Sequence, residues 1–192
     1  YMAHNRHFLA WAATMQGRRR EALSAARAIT TEVPAPLMQA LASFSDGVAA
    51  CKWHVLVRFG MWEEILAEPS PPEWAMVGKA MQHYARGVAF ANTERPDDAA
   101  VEIEALDKAV DALVDSDRQL GHQPADEVMK IAQHLLRGEA AFKAGDRAKG
   151  LQLLKQAVEL EEAIVYAEPA PWMMPARHAY GALLVLDGKY AE

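Results

Sequence analysis

Histidine is the residue type in this sequence that offers the widest chemistry. Five histidines recur along the chain at intervals of tens of residues: His7, His54, His83, His134 and His178. Imidazole changes its charge near neutral pH, and the neutral ring ligates zinc, copper or nickel. His4 and His7 lie three residues apart, so a helix would place both on one face, as two ligands of a metal ion. Two ligands do not complete a metal site.

The sequence contains no recognisable catalytic motif. It has no glycine-rich phosphate loop, no Gly-x-Ser-x-Gly turn, no His-Glu-x-x-His pair and no cysteine pair with metal spacing. The single cysteine, Cys51, follows an apolar run, which predicts a buried thiol and leaves no internal disulfide. The acidic pair Glu63 and Glu64 is predicted to cap a helix start. We therefore predict a protein that is not an enzyme and that uses no cofactor.

Amphipathic helices joined by glycine turns must position the histidines. The clearest unit, residues 138–160, has a helix with a small residue in it, a turn that ends in glycine, and a second helix. The turn position, which requires a left-handed residue, is occupied along the chain by Gly17, Gly60, Glu94, Gly145 and Gly188. The predicted helices span residues 3–15, 18–32, 37–58, 61–67, 73–92, 97–115, 124–143, 147–166 and 172–187. No strand pair is expected.

The repeated unit resembles the tetratricopeptide repeat. Small residues such as Gly87 and Gly138 take the family's small-residue position. Two residues depart from the family pattern: Trp53 stands at the small-residue position of one copy, and Gly150 stands where the second helix usually has an alanine. The turn positions are 43, 34, 51 and 43 residues apart, against a family period of about 34. The resemblance implies an all-α, right-handed solenoid of helical hairpins, similar to irregular arrays in bacterial proteins. It would form one domain over residues 1–192, with repeats at 3–34, 37–68, 73–115, 124–166 and an incomplete one at 172–192.

The resemblance also implies a binding surface. In this family the first helix of each repeat lines a concave groove. The residues that would lie on its inner face are His4, His7, Trp11, His54, Tyr84, Glu139, Phe142 and His178. We therefore predict a non-enzymatic scaffold that holds a peptide or a partner protein in this groove, with histidines that titrate near neutral pH and favour an acidic partner as the pH falls. The alternatives are a histidine-lined site for a metal or small ligand, and an accessory domain of a larger enzyme.

Other side chains are predicted to pack rather than to bind. His83 and His134 take an aromatic packing place of the repeat, and each should be satisfied by one hydrogen bond. Two proline-rich stretches, residues 68–73 and 168–172, are predicted to be connectors. An array that stops inside a repeat exposes the apolar face of its last helix, which predicts a homodimer. That face is formed by Ala182, Leu183, Val185 and Leu186.

Composition predicts a folded chain. Hydrophobic residues make up 52% and charged residues 24%, too apolar for disorder, and no unbroken apolar run of about 18 residues could span a bilayer. The net charge of −6 offers no basic surface for nucleic acid, and Arg18–Arg20 is predicted to be a solvated helix start. No targeting signal is visible, so the location is left open, with the cytoplasm as the default. Because the chain begins at Tyr1 and ends inside a repeat, we expect it to belong to a longer protein.

Overall fold

The computed structural model describes residues 2–191, and it is 71% helical. The predicted all-α class is confirmed. The helices are α1 (Met2–Met15), α2 (Arg19–Glu32), α3 (Ala35–Ala40), α4 (Ala42–Ala49), α5 (Cys51–Arg58), α6 (Trp62–Ala67), α7 (Met76–Asn92), α8 (Pro96–Asp111), α9 (Ala125–Lys143), α10 (Arg147–Glu162) and α11 (Ala176–Leu186). Over the described residues, none of these helices is long and apolar enough to cross a membrane.

A short hairpin between α8 and α9 corrects one expectation. Strands β1 (Gln119–Leu120) and β2 (Gln123–Pro124) pair in antiparallel fashion, so the prediction of no strand pair is wrong at this place. Gly121, between the strands, has a φ of 63°, which a tight hairpin turn requires and which glycine adopts at little cost. Each strand is only two residues long, too short for the alternation of apolar and polar residues that marks a strand in a sequence.

Five helices end in the same left-handed turn, as the sequence predicts. The values of φ are 71° at Gly17, 62° at Gly60, 57° at Glu94, 99° at Gly145 and 78° at Gly188. After each of these residues, the next residue donates its backbone N–H to the carbonyl five residues earlier, at 2.8 to 3.0 Å. Two hydrogen bonds define a Schellman motif at the end of a helix, and this one spans the greater number of residues. One turn geometry therefore recurs at all five predicted positions.

The predicted helix over residues 37–58 is divided into three. Breaks at Leu41 and Ala50 separate α3, α4 and α5. Leu41 has φ −109° and ψ 24°, and beside this break the Met38 carbonyl accepts a hydrogen bond from the Ser45 hydroxyl at 2.5 Å. A side-chain hydroxyl thus competes with the backbone for a carbonyl, which is how serine interrupts helices. Helices α7 and α11 also begin later than predicted, because the proline-rich connectors before them stay outside the helix.

The buried carboxylate of Asp46, on α4, fixes the start of α7. It accepts the backbone N–H groups of Val77 at 2.8 Å and Gly78 at 2.9 Å, two donors that the first turn of a helix leaves free. Nε of Arg118 lies 3.5 Å from the same carboxylate. Asp46 is 0% exposed, so these three partners must replace the water that the charge has lost.

Neighbouring helices pack in pairs, α1 with α2, α7 with α8, and α9 with α10, and α7 also contacts α5, α6 and α9. Glycines allow two close approaches. A Cβ atom on Gly87 would lie 2.6 Å from the Leu136 side chain, and one on Gly150 would lie 2.7 Å from the Phe142 Cβ and 2.8 Å from the Gly138 oxygen. The glycine that stands at 150 in place of the usual alanine therefore lets α10 approach the backbone of α9.

The apolar core has a main part and an N-terminal part. The main part surrounds α7 and α9, and it includes Trp172 from residues 163–175, the α10–α11 connector. A separate group of buried residues, which we call the N-terminal cluster, joins α1 and α2 to α5 through side chains such as Ile29, Cys51 and Val55. Met173 of the α10–α11 connector belongs to this cluster. The connector thus supplies adjacent residues to both parts of the core.

Candidate functional site

A cavity of about 280 Å³, which we call the Tyr84–Glu139 cavity, lies between α5, α7, α9, α11 and the end of the α10–α11 connector. The helices contribute side chains four residues apart, the spacing of one helix face. From α7 and α9 these are Tyr84, Val88, Asn92, Leu135, Glu139 and Lys143. Along α9, Leu135 is buried, Glu139 is partly buried and Lys143 is exposed, so the cavity has a buried floor and an open rim.

Two polar groups face this cavity with few protein partners. Tyr84 is only 4% exposed, and within residues 2–191 its hydroxyl makes no hydrogen bond but is not fully buried either. The Glu139 carboxylate accepts one, from Asn92 Nδ2 at 3.2 Å. Burial raises the pKa of Glu139, against the opposing effects of Asn92 and of the Lys143 charge. Burial, followed by the Glu139 charge, also raises the pKa of Tyr84, and both side chains line this cavity.

The rim of the cavity carries two cations. Arg58 and Lys143 line it and are exposed, and the imidazole of His178 also lines the rim. Partial burial and then the nearby Arg58 charge lower the pKa of His178, so its imidazole is held in the neutral form over more of the pH range. Glu139 is the one carboxylate among the described lining residues. An acidic floor group therefore lies beneath basic side chains.

His54 forms part of the wall between this cavity and a second one. It is 6% exposed and lines both cavities, and within the described residues its ring makes no hydrogen bond. Burial, with a further effect of His7, lowers its pKa to about 3. The expectation that His54 titrates near neutral pH is wrong, because burial disfavours the charged form of the ring and the nearby His7 adds to this effect. An acidic partner gains no charge from it at physiological pH.

The second cavity, of about 190 Å³, lies between α1, α4, the β1–β2 hairpin and the α10–α11 connector, with His4, His7 and Cys51 in its lining. Burial, followed by the nearby His4, lowers the pKa of His7 to about 4, so His7 also does not titrate near neutral pH. Burial raises the pKa of the Cys51 thiol to about 12, and the predicted burial of this residue is confirmed. In the part of the chain that the structure describes, no three His, Cys, Asp or Glu side chains gather as a metal site would require.

Trp11 and Phe142, predicted for the groove, lie outside both cavities. Trp11 packs on the N-terminal cluster, and Phe142, 6% exposed, belongs to the main core. The structure thus places His54, Tyr84, Glu139 and His178 around one cavity, and His4, His7 and His54 around the other.

Of the two histidines predicted to pack, His83 bonds to a neighbouring helix, whereas His134 bonds only to its own helix. His83 Nδ1 donates to Glu102 Oε2 at 2.7 Å, and His134 Nδ1 donates to the Lys130 carbonyl at 2.9 Å. Each ring has a single hydrogen bond among the described residues, as expected. The Glu102 carboxylate also accepts from Arg86 Nε at 2.6 Å, so His83 belongs to an ion-pair cluster between α7 and α8.

Trp172 packs beside the candidate site, although it was not among the predicted groove residues. Trp172 belongs to a predicted connector. Its ring is 1% exposed and lies against two groove candidates, with ring centroids 4.5 Å from that of His54 and 5.4 Å from that of Tyr84. Its indole Nε1 has no hydrogen-bond partner among the described residues. The available signal was the residue type itself, since a large aromatic ring inside a proline-rich connector needs a place to be buried.

The C-terminal apolar face is exposed only in part. Val185 is 55% and Leu186 61% exposed, but Leu183 is 6% exposed, so its predicted exposure is wrong. Leu183 and Leu186 both line the Tyr84–Glu139 cavity, and Leu183 also joins the main core, whereas Val185 lines neither cavity.

Comparisons of the chain with protein-family models, with curated proteins and with solved structures found no match. The resemblance to the tetratricopeptide repeat stays a prediction that rests on the residues of this chain.

Proposed function

We propose that this protein is a non-enzymatic scaffold of tetratricopeptide-like helical hairpins that binds a segment of a partner protein. One side chain of that segment would enter the Tyr84–Glu139 cavity. The observation that carries the proposal is the pair of polar groups that line this open cavity: the hydroxyl of a mostly buried tyrosine, accessible and without a hydrogen bond, and a partly buried carboxylate with one.

An occupant that shields these groups from water must supply hydrogen bonds to them. A polar group buried without a hydrogen bond costs about 1–3 kcal/mol. The cavity therefore favours an occupant with polar atoms. Apolar neighbours such as Val88 and Leu135 would cover the rest of the inserted side chain.

The recurring turn geometry supports the scaffold part of the proposal. Helix pairs that share one turn tend to stack in arrays, and such arrays present extended surfaces to protein partners. The proposal applies equally to a free-standing scaffold and to an accessory domain of a larger enzyme. The alternative of a histidine-lined metal site has less support, because among the described residues no three of the potential ligands that line the second cavity lie close enough together to hold a metal ion.

A display selection tests the proposal. Random peptides are selected on the wild-type protein, and those enriched are measured against Ala182→Trp, which places an indole at the cavity, and against Ala148→Trp, an exposed position on α10 outside both cavities. We expect enriched peptides that bind the wild type and the Ala148 variant equally, and the Ala182 variant at least about tenfold more weakly. No enrichment, or peptides indifferent to Ala182→Trp, would overturn the proposal.

We also propose that the protein self-associates through α11. Val185 and Leu186 are adjacent, large and more than half exposed. Adjacent exposed apolar side chains of this kind are common at contacts between protein copies.

A further inference from the structure

Three side chains that line the Tyr84–Glu139 cavity can accept a further hydrogen bond. They are the Glu139 carboxylate, the Tyr84 hydroxyl oxygen and the neutral His54 ring. The amide of Asn92 already donates to the Val88 carbonyl at 3.0 Å and to Glu139 at 3.2 Å. An occupant that supplies several donors at one point would satisfy these acceptors together.

The protein's own cations do not satisfy them. Lys143 follows Glu139 by one helical turn and is exposed, and within residues 2–191 no ion pair joins the two side chains. Arg58 also lies at the exposed rim rather than on the floor. The carboxylate of Glu139 thus keeps a free oxygen toward the cavity while the basic side chains stay in water.

We propose, building on the proposed function, that the cavity takes a primary ammonium group, presented by a lysine side chain of the partner segment. The ammonium has three N–H donors on one atom, which matches three acceptors around a small floor. Its aliphatic stem would pack on the apolar wall formed by Val88, Leu135 and Leu183, as lysine stems do on apolar surfaces. The ring of Tyr84 offers further stabilisation to a nearby cation.

An ammonium fits this floor better than a guanidinium does. The guanidinium is planar and presents its donors as a rigid fork, suited to a carboxylate with both oxygens free. One oxygen of Glu139 is engaged by Asn92, and the other acceptors belong to two separate rings. A compact donor that can rotate meets such scattered acceptors more easily.

Calorimetric titration with Nα-acetyl-lysine N-methylamide tests the inference directly. We expect saturable binding to the wild type, and binding about tenfold or more weaker for the norleucine analogue, which has the stem without the ammonium. The arginine analogue should also bind more weakly than the lysine compound. Equal affinities for lysine and norleucine, or tighter binding of arginine, would overturn the inference.

Matched variants locate the effect. Glu139→Gln keeps the size of the side chain and should weaken lysine binding about tenfold or more, whereas Glu159→Gln, on an exposed face of α10, should leave it unchanged. Lys143→Met removes a competing cation from the rim and should tighten lysine binding several-fold. Tighter lysine binding to Glu139→Gln, or weaker lysine binding to Lys143→Met, would contradict the proposal that the ammonium binds at Glu139.

Two further results separate the inference from the proposed function. If selected peptides bind in a cavity-dependent way but keep their affinity when lysine is replaced by norleucine, the scaffold stands and the ammonium inference fails. If free butylamine binds as tightly as the lysine compound, the ligand is a small amine, and the proposal that a partner segment supplies the ammonium is wrong. If neither peptides nor amines bind, both proposals fail.

Discussion

The ring of Trp172 meets the ring of His54 edge to face, with centroids 4.5 Å apart and planes at 80°. One residue belongs to the α10–α11 connector and the other to α5, and both are buried. This contact lets the connector form a wall shared by the main core and the two cavities. It also makes the connector, although it lacks helical structure, a part of the core.

Replacing Trp172 by alanine should destabilise the protein by about 3–5 kcal/mol, because a fully buried indole leaves a large cavity behind. Trp172→Phe should cost less, since it keeps a ring and removes an indole N–H that has no partner within the described residues. Urea unfolding of both variants measures the difference. A wild-type midpoint in Trp172→Ala would contradict the packing of the connector.

The pH dependence of stability should carry the signature of His54. Its pKa is about 3 in the folded state and 6.5 in the unfolded chain, so below pH 6.5 only the unfolded state binds the proton. Above pH 6.5, His54 does not lower the free energy of unfolding. Below pH 6.5, its proton uptake in the unfolded chain lowers that free energy by about 1.4 kcal/mol per pH unit as the pH drops toward 3. Glu139 and Asp46, whose pKa values are raised, act in the opposite direction.

The difference in unfolding free energy between the wild type and His54→Gln isolates this effect, since the carboxyl groups are common to both proteins. Guanidinium titrations at several pH values between 7 and 4 give that difference. A constant difference across this range would show that His54 takes up its proton in the folded state as readily as in the unfolded one.

Gly150→Ala restores the residue usual in the repeat, yet it should destabilise the protein by about 1–3 kcal/mol. Its Cβ would lie 2.7 Å from the Phe142 Cβ and 2.8 Å from the Gly138 oxygen, so α9 and α10 would have to separate. Gly181→Ala in α11 is the control, and its expected effect on stability is in the opposite direction. A Cβ there meets nothing within 4 Å, and the substitution should stabilise the helix by about 0.5–1 kcal/mol. Thermal unfolding of the two variants should therefore shift in opposite directions.

Asp46→Ala should cost about 3–5 kcal/mol, because it leaves two backbone N–H groups of α7 without an acceptor and removes the carboxylate beside Arg118. Asp46→Asn keeps one acceptor and should cost less. Asp111→Ala, at the exposed end of α8, should change stability by less than about 0.5 kcal/mol. Equal unfolding midpoints for Asp46→Ala and Asp111→Ala would show that the carboxylate does not hold the start of α7.

Self-association through α11 should increase with protein concentration in sedimentation velocity. Val185→Lys should reduce it, since it places a charge on the exposed apolar side of the helix. Lys155→Ala, on α10, removes an exposed charge elsewhere and serves as the control. A wild-type protein that stays monomeric at every concentration would overturn this prediction.

The features predicted correctly from the sequence are those fixed by local chemistry. A left-handed turn depends on the residue that occupies it, so Gly17, Gly60, Gly145 and Gly188 could be assigned without knowing the fold, and the register assigned Glu94 as well. The helix boundaries that were wrong depend on distant residues. The start of α7, for example, is held by Asp46 from α4, which no local pattern reveals.

The candidate site was predicted in part for a similar reason. His54, Tyr84, Glu139 and His178 share one cavity because the helix register that the turns define also sets which face they occupy. Their surroundings depend on tertiary structure. The sequence could not show that Trp172 would lie against His54 and Tyr84, and so the low pKa of His54 could not be predicted.

Met173 places a late part of the chain in the N-terminal cluster. In a regular array each helix pair contacts only its neighbours, so the ends can fray separately and unfolding can proceed one unit at a time. Here the packing of α1, α2 and α5 is complete only when the α10–α11 connector has arrived. The two ends of the chain are therefore energetically coupled, and the protein should unfold in a single transition, with folding slowed by the closure of this long loop.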